Sequence, residues 1–261
     1  MFRTFFRSPE DEREALLDAI LPLLPTGVRE GASTLSVVSG APLDRADLEA
    51  AAGCGLAGWT VEEVPADWRH RRGEEGVLID GRVCIRSPFD PPPAAGIVDV
   101  VVERRGSAFG SGSHPTTQMC VSLLLELAPE GGVADLGCGV GTLAIVAAKL
   151  GWAPVVGVDR VPVAIEVGRE NVARNGVPVE LAVADLAVDD VPLAALLLVN
   201  APPPVQERVV ASMTDVVRHV IVSGIVAEEV TEVVAGYRSV GFEAVNALGT
   251  EDEWIALRLS C

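Results

Sequence analysis

The sequence predicts an α/β protein: a doubly wound, mostly parallel sheet with an antiparallel last strand, preceded by a small ferredoxin-like α+β unit. Three observations carry this reading. From Ala108 onward, helical periodicities alternate with short β-branched runs, the pattern of parallel strands joined by helices on both faces. The last two strand-like runs, 243–248 and 254–259, have no helix between them and must pair antiparallel at one edge. Residues 1–65 read in the order β-α-β-β-α-β.

Taken in order, residues 2–6 form a short apolar-rich strand. Ser8 then offers an N-cap, Pro9 a first helical position, and Glu10, Asp11 and Glu12 place acids at the positive end of a helix dipole. Leu16, Leu17, Ile20, Leu21 and Leu24 recur at helical spacing until Pro22 and Pro25 close the segment. Strands at 27–31 and 35–38, a helix at 44–52 and a strand at 59–64 complete the unit. Residues 66–105 read as a linker with a hairpin, 83–86 and 97–103, around a loop carrying Pro91, Pro92 and Pro93. In residues 106–261 the helices fall at 116–127, 142–150, 161–175, 205–217 and 227–240. The strands between them are Val133–Leu136, Val155–Asp159, Val179–Val183, Leu196–Asn200 and 220–223.

Composition narrows the partners. The 261 residues carry 20 Lys+Arg against 37 Asp+Glu, a formal net charge of −17. Such a surface repels phosphate backbones, so direct nucleic-acid binding is not expected, and it suits a cationic partner. The five cysteines are widely spaced with no CxxC pair, which points to reduced thiols and neither a disulfide framework nor a metal site. No apolar run approaches the length of a signal core or a membrane span, so a soluble, cytoplasmic protein is expected.

The strongest chemical signal is VADLGCGVG, where a hydrophobic strand runs into Gly137, Gly139 and Gly141 and then a helix. Glycines at a strand-to-helix turn let a ligand lie against bare backbone at a helix N-terminus. Thr142 spoils the GxGxxG dinucleotide pattern; GxGxG with Asp135 two residues before the first glycine is instead the S-adenosylmethionine pattern. Its ligand has no pyrophosphate, and an acid nearby suits a cationic amine. Asp159, at the end of the next strand and 20 residues beyond Gly139, can accept both hydroxyls of a ribose, or simply cap the following helix. Asp185 follows the third strand, where such folds meet an adenine amine; Asp189 and Asp190 share its loop. Asn200 closes the fourth strand, where its side-chain carbonyl can hold a substrate amine with the lone pair aimed at a methyl group. A strand-end Asn before Pro202, Pro203 and Pro204 is also an ordinary turn starter. The stretch AFGSGSHPTT (residues 108–117) reads as a flap of small residues leading into a helix, with His114 as a possible base.

These motifs together resemble the ribosomal protein L-eleven methyltransferases of the PrmA type, over nearly the whole chain. AFGSGSHPTT stands where that family has AFGTGTHPTT, DLGCGVG (Asp135 to Gly141) where it has DxGxGxG, and DRVPVAIEVGRENVARNGV (residues 159–177) where it has DxDPxAIxxxxxNxxxNGV. Ser223-Gly224-Ile225, Gly241-Phe242 and Glu253-Trp254 extend the match. The resemblance implies a Rossmann-like class I methyltransferase fold behind an N-terminal substrate-recognition domain. It implies S-adenosyl-L-methionine as cofactor, held by Thr117, Asp135, Gly137, Gly139, Gly141, Asp159, Asp185, Asn200, Phe109 and Gly110, with Asn200 also at the accepting amine. The implied substrate is a lysine ε-amine or terminal α-amine of a basic ribosomal protein. The chain departs from the family after Asn200, where Ala201 and three prolines replace an aliphatic and a non-proline helix start, at Arg104-Arg105, and in the PFDPPPAAG insertion. Those departures keep open another protein or a small amine as acceptor, or a binding module without turnover.

Overall fold

The computed structural model describes residues 2–7, 13–20, 24, 29–30, 34–63, 76–88, 90–103, 112–250 and 254–261. Several expectations fall outside them: the capping signals at Ser8–Glu12, the stops at Pro22 and Pro25, and the flap residues Phe109 and Gly110. The chain divides into two compact units, residues 1–73 with 105–107, and residues 74–104 with 108–261.

The first unit contains β1 (Phe2–Arg7), α1 (Arg13–Ile20), β2 (Arg29–Glu30), β3 (Leu35–Ser39), α2 (Arg45–Ala52) and β4 (Ala57–Glu63). Its sheet runs β2-β3-β1-β4 with every pairing antiparallel, which is the ferredoxin-like order. Leu16 and Ile20, one helical turn apart, bury against Phe6, Leu35, Val37, Leu48 and Leu56 to make its core. The start of α2 is set by Asp44, whose carboxylate accepts from Ala46 N at 2.7 Å and Asp47 N at 3.3 Å.

The second unit begins with β5 (Val77–Ile79), β6 (Val83–Arg86) and β7 (Val98–Val101). The expected hairpin is absent: β6 pairs parallel to β7 and antiparallel to β5. The proline-rich segment between β6 and β7 is long enough to carry the chain back to the same end before it pairs, which a tight turn cannot do. There follow α3 (Pro115–Leu124), β8 (Val133–Leu136), α4 (Thr142–Lys149), β9 (Val155–Asp159), α5 (Pro162–Asn175), β10 (Val179–Val183) and β11 (Leu196–Asn200). The chain ends with α6 (Pro203–Ala211), β12 (His219–Val226), α7 (Val230–Ser239), β13 (Glu243–Gly249) and β14 (Trp254–Ser260). Helix α6 starts two residues before the expected 205, because a proline in the first turn forgoes only an N–H that has no helical partner, and it stops well short of 217.

The seven-stranded sheet runs β10-β9-β8-β11-β12-β14-β13. Its first five strands are parallel, and β14 pairs antiparallel with both β12 and β13. Leu196, Leu197, Leu198 and Val199 are each 0% exposed, as expected of a central strand covered on both faces. Ile79, Val83, Ile85 and Val100 of the small sheet join the core made by α3, α4 and the central strands. Among the described residues no helix is long and apolar enough to cross a membrane, and no cluster of His, Cys, Asp and Glu could hold a metal ion.

Two asparagines fasten the small sheet to α5. Asn175 accepts from Val101 N at 2.9 Å and donates to Val101 O at 2.6 Å. Asn171, one turn earlier, accepts from Glu103 N at 2.9 Å and donates to Glu103 O at 2.9 Å. The spacing matches because four helical residues rise about 6 Å and two strand residues about 6.6 Å. Asn171 also reaches Val140 O at 3.2 Å, joining the strand end to the glycine loop. Replacing the fully buried Asn171 with Ala is expected to destabilise the protein by about 1–3 kcal/mol, since it leaves three backbone groups without this partner. Amide hydrogen exchange should quicken at Glu103 and stay slow at Val101, which Asn175 still holds; equal protection at both would count against the ladder.

Candidate active site

Strand order reverses between β8 and β11: from β8 the chain moves outward through β9 and β10, then returns to the other side of β8 with β11. The carboxyl ends of neighbouring strands that lead opposite ways leave a crevice between their following loops, the usual ligand position in open α/β sheets. The described residues at that edge are those singled out in the sequence.

The glycine loop is drawn over the end of β9. Gly137 N and Cys138 N both donate to Val158 O at 2.9 Å, and Gly139 N donates to Asp159 Oδ2 at 2.8 Å. Gly137, Gly139 and Gly141 have φ of 81°, 53° and 80°, a region that L side chains rarely adopt. A methyl group built on Gly141 would come 3.1 Å from Leu181 Cδ1, a tight approach on top of the unfavourable φ. Helix α4 begins at this glycine without a side-chain cap.

Asp159 accepts from Val161 N through Oδ1 at 2.9 Å as well as from Gly139 N through Oδ2. Cap and ligand-binding readings are therefore compatible, because each carboxylate oxygen keeps a second lone pair. Asp135, at the end of β8, is 1% exposed, and its Oδ2 accepts from Ala144 N at 3.0 Å, tying strand to helix beneath the loop. Burial pushes its pKa up to about 7; the Ala144 hydrogen bond opposes that rise and the Asp159 charge adds to it. Asp185 is exposed and caps its own turn, its Oδ1 accepting from Ala187 N at 3.0 Å while Asp189 accepts from its backbone N–H at 2.8 Å. Ala184 N donates to Asp159 O at 3.0 Å, which brings this loop beside Asp159.

Asn200 stands on the β11 side of the crevice; its backbone carbonyl oxygen lies 4.0 Å from a methyl built on Gly137. Its Nδ2 donates to Thr116 Oγ1 at 3.2 Å. Thr116 Oγ1 lies 2.7 Å from His114 Nδ1, and Thr116 N donates to the same ring nitrogen at 3.3 Å. Nδ1 therefore carries a lone pair and the hydroxyl proton points to it, leaving the hydroxyl oxygen to accept from Asn200. Burial lowers the His114 pKa, in keeping with a neutral ring, and Trp254 packs edge-on at 5.4 Å. His114 thus stands at the head of a chain of hydrogen bonds that ends on the Asn200 amide. Asn200 meets Thr116; Thr117, the neighbour singled out by resemblance, is 1% exposed in the first turn of α3, its N–H donating to His114 O at 3.1 Å.

Sequence reasoning missed Thr116 as the residue that sets the Asn200 amide, and also Gln206, which is 2% exposed beneath Asn200. A polar residue one helical turn past a run of prolines was the available signal for Gln206. Nothing in the linear sequence pointed to Thr116 over Thr117.

The family profile described as ribosomal protein L11 methyltransferase (PrmA) matches residues 79–260, most of the chain. The chain belongs to that family. A ribosomal protein L11 methyltransferase of Myxococcus xanthus is 33% identical over 214 residues, 77% of this chain and 71% of that protein. One of Geobacter metallireducens is 40% identical over 175 residues, 65% of this chain, and the match spans little more than half, 56%, of the relative's length. Among solved structures, a ribosomal protein L11 methylase from Lactobacillus delbrueckii subsp. bulgaricus superposes with a TM-score of 0.63 at 25% identity, covering 71% of this chain and 98% of that one. The second unit accordingly has the class I methyltransferase fold.

The Asp135 carboxyl sets a pH dependence of stability. Its folded pKa, about 7, lies above the 3.8 of an unperturbed aspartate, so the folded state binds the proton more tightly. This contribution is fully present below pH 3.8 and is lost as pH rises through about 7. Urea unfolding of wild type and Asp135→Asn across that window should show wild-type stability falling more steeply with pH; equal slopes would rule out a buried, proton-binding Asp135.

Proposed function

We propose that the chain is an S-adenosylmethionine-dependent methyltransferase that adds methyl groups to amine nitrogens, lysine ε-amine or N-terminal α-amine, of a basic ribosomal protein, the L11 protein of the large subunit. The observation that carries this reading is the placement of Gly137 and Asn200 at adjoining strand ends across the β8/β11 switch point, with Asp159 at the neighbouring strand end. The names of the relatives support the same acceptor.

The residues fit the cofactor. The left-handed glycines keep side chains off the loop, Gly141 puts no side chain over the start of α4, and Asp159 retains acceptor capacity for two ribose hydroxyls. In this reading Gly137, Gly139 and Gly141 present backbone, Asp185 faces the adenine, Asp135 braces the loop from below, and Thr117 stands on the other side. The sulfonium supplies an already activated methyl group. The chain's own task is positioning. Because Asn200 Nδ2 is engaged with Thr116, its Oδ1 is the atom turned to the acceptor, where it accepts an amine N–H and aims the nitrogen lone pair. A charged lysine must first lose a proton, which a dry crevice favours by disfavouring the ammonium form.

A second reading keeps the reaction and changes the acceptor to another protein or a small amine. It is motivated by Ala201, Pro202, Pro203 and Pro204, which form the wall just beyond Asn200. Transfer of labelled methyl from S-adenosylmethionine to purified ribosomal proteins, with wild type and Asn200→Ala in parallel, separates the two. Label in L11, reduced about 10²-fold or more by Asn200→Ala, is the expected result. Label only in another protein or a small molecule would replace the acceptor, and none anywhere despite cofactor binding would overturn the enzyme.

A further inference from the structure

Past the end of β11 the carbonyl of Ala201 takes no N–H from the first turn of α6. The residues after Ala201 are Pro202, Pro203 and Pro204, none of which has an N–H, and the first turn of α6 folds onto Pro202 O, not Ala201 O. Across the sheet, Ser223 is the register partner of Asn200, and its carbonyl accepts from Ala201 N at 3.1 Å. Next to it, a methyl group built on Gly224 would come 2.9 Å from Ala201 N, so the two strand ends are pressed together with no room for a side chain.

Gln206 turns a side-chain amide toward this strand end. Its Nε2 donates to Val199 O at 3.1 Å and Ala201 O at 2.9 Å, the carbonyls on either side of Asn200, and lies 3.4 Å from Ser223 O. An amide has a donor end and an acceptor end, and turning this one over would set Oε1 against three carbonyls. Tyr237 on α7 prevents that turn: its hydroxyl donates to Gln206 Oε1 at 2.8 Å. Tyr237 is the chain's single tyrosine and is 0% exposed. Burial raises its pKa, so it remains a neutral donor.

We propose that the Gln206–Tyr237 pair is a positioning device for the methyl-transfer step. By holding the carbonyls of Val199, Ala201 and Ser223, it fixes the direction in which Asn200 presents Oδ1 to the acceptor. Neither residue touches the reacting atoms. The inference rests on the proposed role of Asn200 and extends it to two residues of the core.

The test compares wild type, Tyr237→Phe, Gln206→Met and Asn200→Ala with Val209→Ala, a fully buried change in the same core cluster that leaves the clamp intact. In methyl transfer, Tyr237→Phe and Gln206→Met should lower kcat about tenfold or more while KM for S-adenosylmethionine moves less than about twofold, because the loss falls on orientation and not on cofactor binding. Val209→Ala should keep kcat. If Gln206→Met does not fold, Tyr237→Phe, which removes a single oxygen, still decides. A kcat in Tyr237→Phe no lower than in Val209→Ala overturns the clamp while leaving the Asn200 reading in place if Asn200→Ala is inactive. An active Asn200→Ala overturns the reading on which the clamp rests.

A second readout needs no acceptor. The Asn200 side-chain amide signal in a nitrogen–proton NMR spectrum, identified by its absence in Asn200→Ala, should shift or broaden in both clamp variants and stay in place in Val209→Ala. An unmoved signal in Tyr237→Phe would overturn the positioning role even if no methyl acceptor is found.

Discussion

The crevice depends on how the end of β9 receives the loop that follows β8. Val158 O takes two successive N–H groups, Gly137 and Cys138, and the Asp159 side chain takes the third, Gly139. A chain leaving a strand can deliver consecutive N–H groups to one neighbour only by turning sharply, and the left-handed glycines allow the turn. The same turn starts α4 at Gly141 and sets the Asp135 carboxylate under Ala144 N. Every other element of the site is arranged around this loop.

Side-chain amides do much of the remaining work. Asn171 and Asn175 give β7 and Glu103 the donors and acceptors that a neighbouring strand would give, using a helix face whose rise matches a strand's. Gln206 gives Val199 O and Ala201 O a side-chain donor at the end of β11. Asn200 is held through Thr116 and His114 on the opposite side. Each amide offers a donor and an acceptor on one planar group, so it can complete a backbone pair without leaving either half unsatisfied. In a buried setting an unpaired polar group costs about 1–3 kcal/mol, so the surroundings hold each amide in one orientation.

The acidic balance and the buried acid belong to different parts of the physics. A net charge of −17 bears on which partners approach the surface. Asp135 is shielded from solvent, and its protonation answers to burial and to the two groups nearest it, Ala144 N–H and Asp159. Cys138, in the same loop, is likewise pushed up by burial and by both carboxylates, so it stays a thiol and packs with Ile165 and Leu181.

The sequence by itself determined the strand and helix order from α3 onward, the reversed last strand, the ferredoxin-like unit, and the placement of Gly137, Asp159 and Asn200 at strand ends. Those features are local: periodicity, β-branched runs and glycine spacing act over a few residues, and strand alternation leaves few ways to wind a sheet. Tertiary structure alone decided that β6 and β7 run parallel, since a proline-rich connection of that length permits either direction. It alone chose Thr116 over Thr117 for Asn200, because which of two adjacent hydroxyls faces a strand end depends on how α3 is rotated in its packing. It also joined Gln206 to Tyr237, 31 residues apart on two helices. Hydrogen bonds between distant side chains leave no periodic trace, because they depend on where packed elements bring two polar groups together.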